Sequence, residues 1–293
     1  MPDQSYILIT PARNEADFIA ETIKSVCNQN IPPKKWIIVN DGSTDATEEI
    51  VSTYAGQNNF IQLLNLVHER KRDFGSKVYA FREGYIHLRD IEYDFIGNLD
   101  ADVSFESDYY QKILEECEKN KKLGIAGGII KELVDGSYIA QNISLTSVAG
   151  AIQLFRRQCY ESTGGYMPLK HGGVDAAAEI LARMNGWQVR TFPEYPVLHH
   201  RRVATGRRSA IGTRFYQGLS NYSLGYHPLF HIMSSMFRIG DSPYLIGSIA
   251  SIIGFCWAYI RDDKKQLPDR AQKYLRTEQI ERLKQTFSNA KKV

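Results

Sequence analysis

The first third of the chain alternates short apolar segments with segments of helical spacing, and this alternation limits the fold more than any other feature. Apolar and β-branched runs of strand length occur at Tyr6–Thr10, Trp36–Asn40, Ile61–Val67 and Phe95–Leu99. Apolar residues recur at helical intervals in the segments between them, Glu15–Asn28, Thr44–Tyr54 and Lys77–His87. Strands that alternate with helices form a parallel sheet with right-handed crossovers. We therefore predict an α/β fold whose mostly parallel sheet is flanked by helices.

Composition and cysteine spacing indicate a globular protein and exclude some structural classes. The chain is 43% apolar and 24% charged, which is the balance of an ordinary globular protein. Its four cysteines show no C-x-x-C spacing, so neither a zinc knuckle nor a disulfide framework is indicated. The first ten residues lack the basic start and long apolar run of a secretory signal. We expect a cytoplasmic location.

Polar residues follow three of the four predicted strands. They are Pro11-Ala-Arg-Asn-Glu15 after the first, Asp41-Gly-Ser-Thr-Asp45 after the second and Asp100-Ala-Asp102 after the fourth. Ligands of open α/β sheets bind outside the carboxyl ends of the strands, so these residues are predicted to line one crevice. Taken singly, each cluster is explained equally well by helix capping.

Asp100 and Asp102 are separated by one residue at the end of the fourth predicted strand. Alternation along a strand would place both carboxylates on the same side. Paired oxygen ligands suit Mg²⁺ or Mn²⁺ and leave open positions for a diphosphate. D-x-D alone is a weak motif, and its weight comes from the apolar strand before it.

Four motifs follow one another in the order and spacing of the family 2 glycosyltransferases, which have the GT-A fold. They are Thr10-Pro-Ala-Arg-Asn-Glu15, Asn40-Asp-Gly-Ser-Thr-Asp45, Gly75-Ser-Lys-Val-Tyr-Ala80 and Leu99-Asp-Ala-Asp102. The sequence resembles that family over roughly residues 5–200. The resemblance implies that the base and ribose of a nucleotide sugar are held by Pro11, Arg13, Glu15 and Asp41. It further implies a ribose or phosphate contact for Lys77, a ribose contact for Asp100 and a metal contact for Asp102.

The same resemblance implies a general base at the start of a later helix, where the family has an acidic pair. Here that segment runs from Gly172 to Gly186 and departs from the family pattern. Alignment on Arg183 equates Glu179 with a later acid of the family motif and leaves alanine at the usual base position, whereas alignment on the helix start makes Asp175 the base. We favour Asp175, because it follows a glycine pair at the helix N-terminus while Glu179 lies one turn deeper.

His199 and His200 end a late predicted strand, and only one of them can face the crevice. Several GT-A enzymes resemble this arrangement and use such a histidine as a further metal ligand, so we assign that role to His199. The basic cluster after it could reach the diphosphate or an acceptor phosphate, or form a solvated loop. Its members are Arg201, Arg202, Arg207 and Arg208.

The second half of the sequence indicates the domain organisation. Predicted elements are strands at Val148–Phe155, Trp187–Phe192 and Val197–His200 and a helix at Asp175–Asn185, with helical spacing beyond Arg201. We predict a GT-A catalytic domain over 1–204, with a nucleotide-binding half at about 1–103 and an acceptor half at about 104–204. Residues 205–293 form a basic helical region.

The C-terminal region combines charge with an uncharged run. Residues 1–200 hold 20 Lys and Arg and 27 Asp and Glu, a net charge of −7, whereas residues 201–293 hold 16 and 6, a net charge of +10. Pro243–Ile260 contains no charged residue and is borderline in length for a membrane-spanning helix. We favour peripheral attachment to the cytoplasmic face of a membrane over a membrane-spanning hairpin. A buried core or a homodimer interface is the alternative.

We therefore predict a metal-dependent, inverting glycosyltransferase of the hexosyltransferase class, active in polysaccharide or glycolipid synthesis. Its expected partners are a nucleotide-diphosphate sugar, a saccharide or lipid-linked acceptor, Mn²⁺ or Mg²⁺, and no nucleic acid. One alternative is a sugar-1-phosphate nucleotidyltransferase, although that class has a glycine-rich basic loop after the first strand, which Pro11-Ala-Arg-Asn-Glu15 lacks. The other is a non-catalytic, membrane-associated protein that binds nucleotide sugars.

Overall fold

The computed structural model describes residues 4–66, 75–134, 136–201, 209–240 and 243–290. The chain divides into two compact units. The first comprises residues 1–168 and 174–203, and the second comprises residues 169–173 and 204–293.

The first unit is an α/β structure. Its strands, β1 to β9 in chain order, are Tyr6–Ala12, Lys35–Asn40, Ile61–Asn65, Phe95–Asn98, Val103–Phe105, Leu123–Val134, Ser137–Ala140, Leu154–Arg156 and Gln188–His199. Its helices, α1 to α6, are Ile19–Cys27, Thr47–Gln57, Ser76–Ile86, Tyr109–Lys119, Arg157–Thr163 and Val174–Met184. The described strands form one sheet in the order β3-β2-β1-β4-β8-β6-β9-β5, and β7 pairs with β6.

The N-terminal half of the sheet is parallel, as predicted. β1 lies between β2 and β4 and pairs in parallel with both, and β2 pairs in parallel with β3. Ile7, Leu8 and Ile9 of β1 are fully buried. Strands covered on both faces read as continuous apolar runs, which is why the sequence pattern identified them. The parallel pairing brings the carboxyl ends of β1, β2 and β4 to the same edge.

The C-terminal half of the sheet is mixed and differs in detail from the prediction. β8 is antiparallel to both β4 and β6, β5 is antiparallel to β9, and β6 is parallel to β9. The strand predicted at 148–155 is instead the shorter strand Leu154–Arg156. The two strands predicted at 187–192 and 197–200 are the single strand β9. Its register on β6 shifts between Phe192 and Pro196, so a bulge accommodates the proline-containing stretch between the two predicted strands.

Gly128 of β6 is the point at which this bulge packs most tightly. A Cβ at Gly128 would lie 1.9 Å from the carbonyl oxygen of Tyr195. The Gly128 backbone N–H donates to the Tyr109 hydroxyl, at 2.9 Å. The position therefore tolerates no side chain without movement of β9.

The second unit is helical over its described residues. Its helices, α7 to α10, are Ala210–Ser223, Pro228–Phe237, Tyr244–Ile260 and Asp269–Ala290. His231 of α8 stacks on Phe255 of α9, with the ring centroids 4.5 Å apart, and lies 3.2 Å from the Ser251 carbonyl oxygen. Among the helices described, none combines the length and the apolar character needed to cross a membrane.

We predict that Gly128→Ala lowers the free energy of unfolding by about 1–3 kcal/mol, because the added methyl group overlaps the Tyr195 carbonyl. Gly56→Ala is the matched control, since Gly56 lies in α2 and a Cβ there meets nothing within 4 Å. The control should be neutral or slightly stabilising. Urea titrations measure both values, and equal stabilities for the two variants would contradict the packing described.

Candidate functional site

The loops that follow β1 and β2 are held together by side-chain to backbone hydrogen bonds. The Asn14 N–H donates to Ser43 Oγ at 3.0 Å, and Asn14 Oδ1 accepts from the Thr44 N–H at 2.8 Å. The Glu15 N–H donates to Thr47 Oγ1 at 2.8 Å. Asn14 adopts a φ of 56°, a left-handed conformation that asparagine tolerates better than most residues. The two loops therefore form one rigid rim of the sheet edge.

Three of the residues expected to hold the nucleotide lie on this rim. Arg13 and Asp41 face each other, with 3.7 Å between Nη1 and Oδ2, and both side chains are partly exposed. Pro11 is half-buried in β1 and pairs in register with Val39 of β2. A cation, a carboxylate and an apolar ring are thus presented side by side at the carboxyl ends of two neighbouring strands.

Asp100 lies directly beyond β4 and is paired with Lys77 of α3. Lys77 Nζ donates to Asp100 Oδ1, and the same oxygen lies 3.4 Å from Asn98 Nδ2. The Asn98 amide also donates to the Gly150 carbonyl, and the Asp100 N–H donates to the Ala151 carbonyl at 2.9 Å. The segment before β8 therefore holds the D-x-D segment in place by hydrogen bonds.

Asp102 is buried and is contacted by two residues at the end of β9. His199 Nε2 lies 3.3 Å from Asp102 Oδ2, and Arg201 Nε donates to the same oxygen at 3.0 Å. Arg201 Nη2 also donates to Glu15 Oε2. The Arg201 guanidinium thus joins the loop after β1 to the loop after β4.

The pKa values of these groups reflect burial and the crowding of charge. Burial raises the pKa of Glu15 to about 7, the Arg201 charge opposes this, and the charges of Asp102 and Asp100 add to it. Burial also acts to raise the pKa of Asp102, but hydrogen bonds and charge from His199 and Arg201 outweigh it, so that pKa is lowered. The hydrogen bond to Asp102 raises the pKa of His199, although burial opposes it. The edge therefore favours bound cations.

Two residues at this edge could form part of the ligand set of a divalent metal. No group of three His, Cys, Asp or Glu side chains suited to a metal occurs within the described part of the chain. Asp102 and His199 nevertheless present a buried carboxylate oxygen and an imidazole nitrogen 3.3 Å apart. This separation is close to the roughly 3 Å between neighbouring ligands of an octahedral ion bound at about 2.1 Å. Two protein ligands leave positions for diphosphate oxygens and water.

Asp175 lies in the first turn of α6, half-buried, against the segment that supports D-x-D. A Cβ built on Gly150 would lie 3.1 Å from Asp175 Oδ2, so that glycine lets the carboxylate approach the backbone. Burial raises the pKa of Tyr166, and the charges of Asp175 and Asp100 both add to this rise. The N-terminus of α6 and the D-x-D segment therefore belong to the same region of the first unit.

Glu179, one turn further along α6, is only 3% exposed. Its Oε1 accepts hydrogen bonds from the Val148 N–H at 2.7 Å, Ser147 Oγ at 3.1 Å and Gln153 Nε2 at 3.2 Å. Arg183 Nη1 lies 3.6 Å from its Oε2. Glu179 thus anchors the segment 147–153 to α6, a role that the sequence did not reveal.

Two further expectations can be compared with the geometry. β4 ends at Asn98, so Asp100 and Asp102 are not strand residues and the alternation argument for their common side was wrong. His200 turns away from Asp102, since its Nε2 lies 2.8 Å from Ser104 Oγ and its Nδ1 lies 3.1 Å from the Tyr138 hydroxyl.

Arg202, Arg207 and Arg208 lie outside the described residues. The double ion pair of Arg201 was missed, because nothing in its sequence context distinguishes it from its basic neighbours.

Comparison with known proteins identifies the relatives of the chain. Residues 7–170 match the family model described as Glycosyl transferase family 2. Poly-beta-1,6-N-acetyl-D-glucosamine synthase of Staphylococcus epidermidis is 30% identical over 142 residues, which cover 48% of this chain and 32% of that protein. Chondroitin synthase of Pasteurella multocida is 26% identical over 212 residues, which cover 69% of this chain and 21% of that protein. The chain thus spans about a third or less of these relatives.

Solved structures show the same fold. A mannosyltransferase from Pyrobaculum calidifontis, in complex with GDP-Man and Mn²⁺, has a TM-score of 0.56 and 15% identity, covering 92% of this chain and 77% of that one. Residues 1–349 of TarS from S. aureus, in complex with UDP-GlcNAc, have a TM-score of 0.53 and 16% identity, covering 73% of this chain and 65% of that one. The predicted α/β fold of the GT-A type is confirmed.

We predict that Glu179→Gln weakens the pH dependence of stability. Burial raises the pKa of Glu179 from its ordinary value of 4.5 to about 7. Between these values the unfolded chain binds fewer protons than the folded one, so stability falls as the pH rises, by up to about 1.4 kcal/mol for each unit of pKa shift. Glutamine cannot ionise but keeps an oxygen that can accept from the Val148 N–H. The unfolding free energy of the variant should therefore fall less than that of the wild type between pH 5 and pH 8.

Denaturant titrations at several pH values measure this slope. Glu161→Gln is the control, because Glu161 is an exposed acid on α5. It should retain the wild-type slope. A Glu179→Gln slope equal to that of the wild type would show that the buried carboxyl does not titrate in this range.

Proposed function

The chain belongs to glycosyl transferase family 2, and we propose that it transfers a sugar from a nucleotide-diphosphate sugar to an acceptor hydroxyl. The proposed transfer requires a divalent metal and inverts the configuration at the anomeric carbon. Homologues in this family make polysaccharides, among them chondroitin synthase and poly-beta-1,6-N-acetyl-D-glucosamine synthase. The observation that carries the proposal is the junction of Glu15, Asp102, His199 and Arg201 at the carboxyl edge of the sheet.

The donor nucleotide is assigned to the rim formed by the loops after β1 and β2. Arg13 and Asp41 are partly exposed there and can hydrogen-bond to base and ribose, while Pro11 offers an apolar surface. Lys77 and Asp100 form an ion pair beside this rim. In the proposed complex Asp100 accepts from the ribose hydroxyls, and Lys77 exchanges its carboxylate partner for ribose or phosphate.

The diphosphate is assigned to the Asp102 end of the same edge. Asp102 and His199 would hold Mn²⁺ or Mg²⁺, and the bound ion would neutralise the charge that develops on the leaving diphosphate. The lowered pKa of Asp102 keeps this carboxylate ionised at neutral pH. Arg201 contributes a fixed positive charge, and its position between Glu15 and Asp102 holds both carboxylates in place.

Asp175 is the proposed general base. It is half-buried at the N-terminus of α6 and lies against Gly150, which adjoins the D-x-D segment. Glu179 is unsuited to this role, since it is 3% exposed and its Oε1 already accepts three hydrogen bonds. Asp175 would take the proton of the acceptor hydroxyl as that oxygen attacks the anomeric carbon opposite the diphosphate. One base and a direct in-line attack correspond to inversion.

The metal requirement can be tested with purified protein and a panel of UDP- and GDP-sugars, by measuring the nucleoside diphosphate that is released with Mn²⁺ and with EDTA when water accepts the sugar. We expect release from at least one donor, dependent on the metal, and loss of that release in Asp102→Asn. Unchanged thermal stability of Asp102→Asn in the absence of metal would show that the fold survives. Activity that persists in EDTA, or in Asp102→Asn, would refute the metal-dependent mechanism.

The two candidate bases can be separated by paired variants. Loss of a general base costs on the order of 10²–10⁴ in rate, so Asp175→Asn should lower kcat by that factor and leave the Kd of the donor nearly unchanged. Glu179→Gln is the matched control and should retain most of kcat. The proposal fails if Glu179→Gln shows the large loss of kcat and Asp175→Asn shows the small one.

A further inference from the structure

The second unit exposes an unusual concentration of large apolar side chains. Of the 21 such side chains exposed among the described residues, 13 lie between Leu229 and Ile260, on α8, α9 and the segment joining them. Ile260 is 76% exposed, Tyr244 70% and Phe237 69%. Large exposed apolar patches on folded proteins usually mark contact with a partner or a lipid phase. We call these 13 side chains the α8–α9 apolar face.

The distribution of large and small residues on α9 is the reverse of that on a helix packed against the core of a water-soluble protein. Its buried positions are mostly small residues, namely Gly247, Ser248, Ala250, Ser251, Gly254 and Ala258, while four of its five isoleucines and Trp257 are exposed. A Cβ on Gly254 would lie 2.1 Å from the Phe215 carbonyl oxygen, and one on Gly218 would lie 2.0 Å from that of Ser251. Small residues between closely packed helices, with large apolar residues outside, are typical of helices surrounded by lipid.

The length and the ends of α9 favour an interfacial position. The helix has 17 residues and is about 25 Å long at 1.5 Å per residue, which is short of the roughly 30 Å hydrocarbon core. Tyr244 begins it, and Trp257 and Tyr259 lie in its last turn, all three exposed. Tyr and Trp are enriched at the level of the lipid headgroups.

The charges around the face favour an anionic bilayer over a second copy of the chain. Pro243–Ile260 contains no charged residue, and Arg238, Arg261 and Lys264 are exposed at the ends of α8 and α9. Asp262 and Asp263 offset part of this charge locally, but residues 204–293 hold 14 Lys and Arg and 6 Asp and Glu, a net charge of +8. In a symmetric dimer the same surface meets itself, so the positive region would face its own copy. Anionic headgroups would instead be attracted, at roughly 1 kcal/mol for each Lys or Arg.

We propose that the α8–α9 apolar face docks in the plane of an anionic lipid bilayer, with its aromatic and aliphatic side chains inserted below the headgroups. The docking depends on the second unit alone and is independent of the proposed sugar transfer. If both hold, the enzyme would meet its acceptor at a membrane surface, which suits a lipid-linked acceptor.

Co-sedimentation with vesicles tests the docking without an activity measurement. The intact protein should bind vesicles of phosphatidylcholine with phosphatidylglycerol more tightly than phosphatidylcholine alone, and high salt should weaken the binding. The variant Ile249→Ser/Ile253→Ser/Trp257→Ser should bind at least tenfold more weakly. Ile139→Ser/Leu145→Ser, at exposed positions of the first unit, is the control and should bind like the wild type. All the changed residues are exposed, and thermal denaturation checks that each variant is folded.

Tryptophan fluorescence reports insertion directly. Trp257 is 49% exposed, whereas Trp36 is fully buried. Vesicle binding should shift the emission to shorter wavelength, brominated lipids should quench it, and Trp257→Phe should remove both effects. Absence of binding to anionic vesicles, or binding without a change at Trp257, would overturn the proposal. A stable dimer in sedimentation velocity that the triple-serine variant dissociates would overturn it in favour of self-association.

Discussion

The concentration of negative charge at one edge of the sheet is the constraint that the first unit must satisfy. Glu15, Asp100 and Asp102 meet there, and a carboxylate removed from water is costly unless it is paired. Arg201 pairs with two of these groups and Lys77 with the third. Arg201 follows β9, so its placement requires the pairing of β9 with β5 and β6. The tertiary fold and the charge balance of the edge are therefore achieved together.

The elements that could be predicted from the sequence are those whose own residues show a clear strand or helix pattern. The strands β1 and β2 are buried on both faces, and the loops that follow them carry the polar residues, so their meeting at one edge could be predicted. The strand β5 has three residues and all four residues of β7 are exposed, so neither shows a usable pattern. The anchoring role of Glu179 arises from residues 26 to 32 positions away in sequence, which no local pattern connects.

The two units use apolar residues in opposite ways. In the first unit the large side chains, such as Trp36 and Phe95, are completely buried between sheet and helices. In the second unit, small residues lie between α7 and α9 while many large ones remain outside. The first arrangement covers these side chains within the unit itself. The second has an apolar face that a lipid phase would cover. In the proposal, the first unit carries out the chemistry and the second attaches the protein to a membrane.

In the proposed mechanism, the carboxyl edge of the sheet binds a metal and a nucleoside diphosphate together, with Asp102 as a metal ligand. A crystal structure of the protein with Mn²⁺ and UDP or GDP, with anomalous data at the manganese edge, tests this most directly. We expect an anomalous peak within coordination distance of an Asp102 carboxylate oxygen and of a diphosphate oxygen, with the nucleoside on the Arg13–Asp41 rim. A nucleotide bound elsewhere, or a manganese peak that Asp102 does not contact, would contradict it.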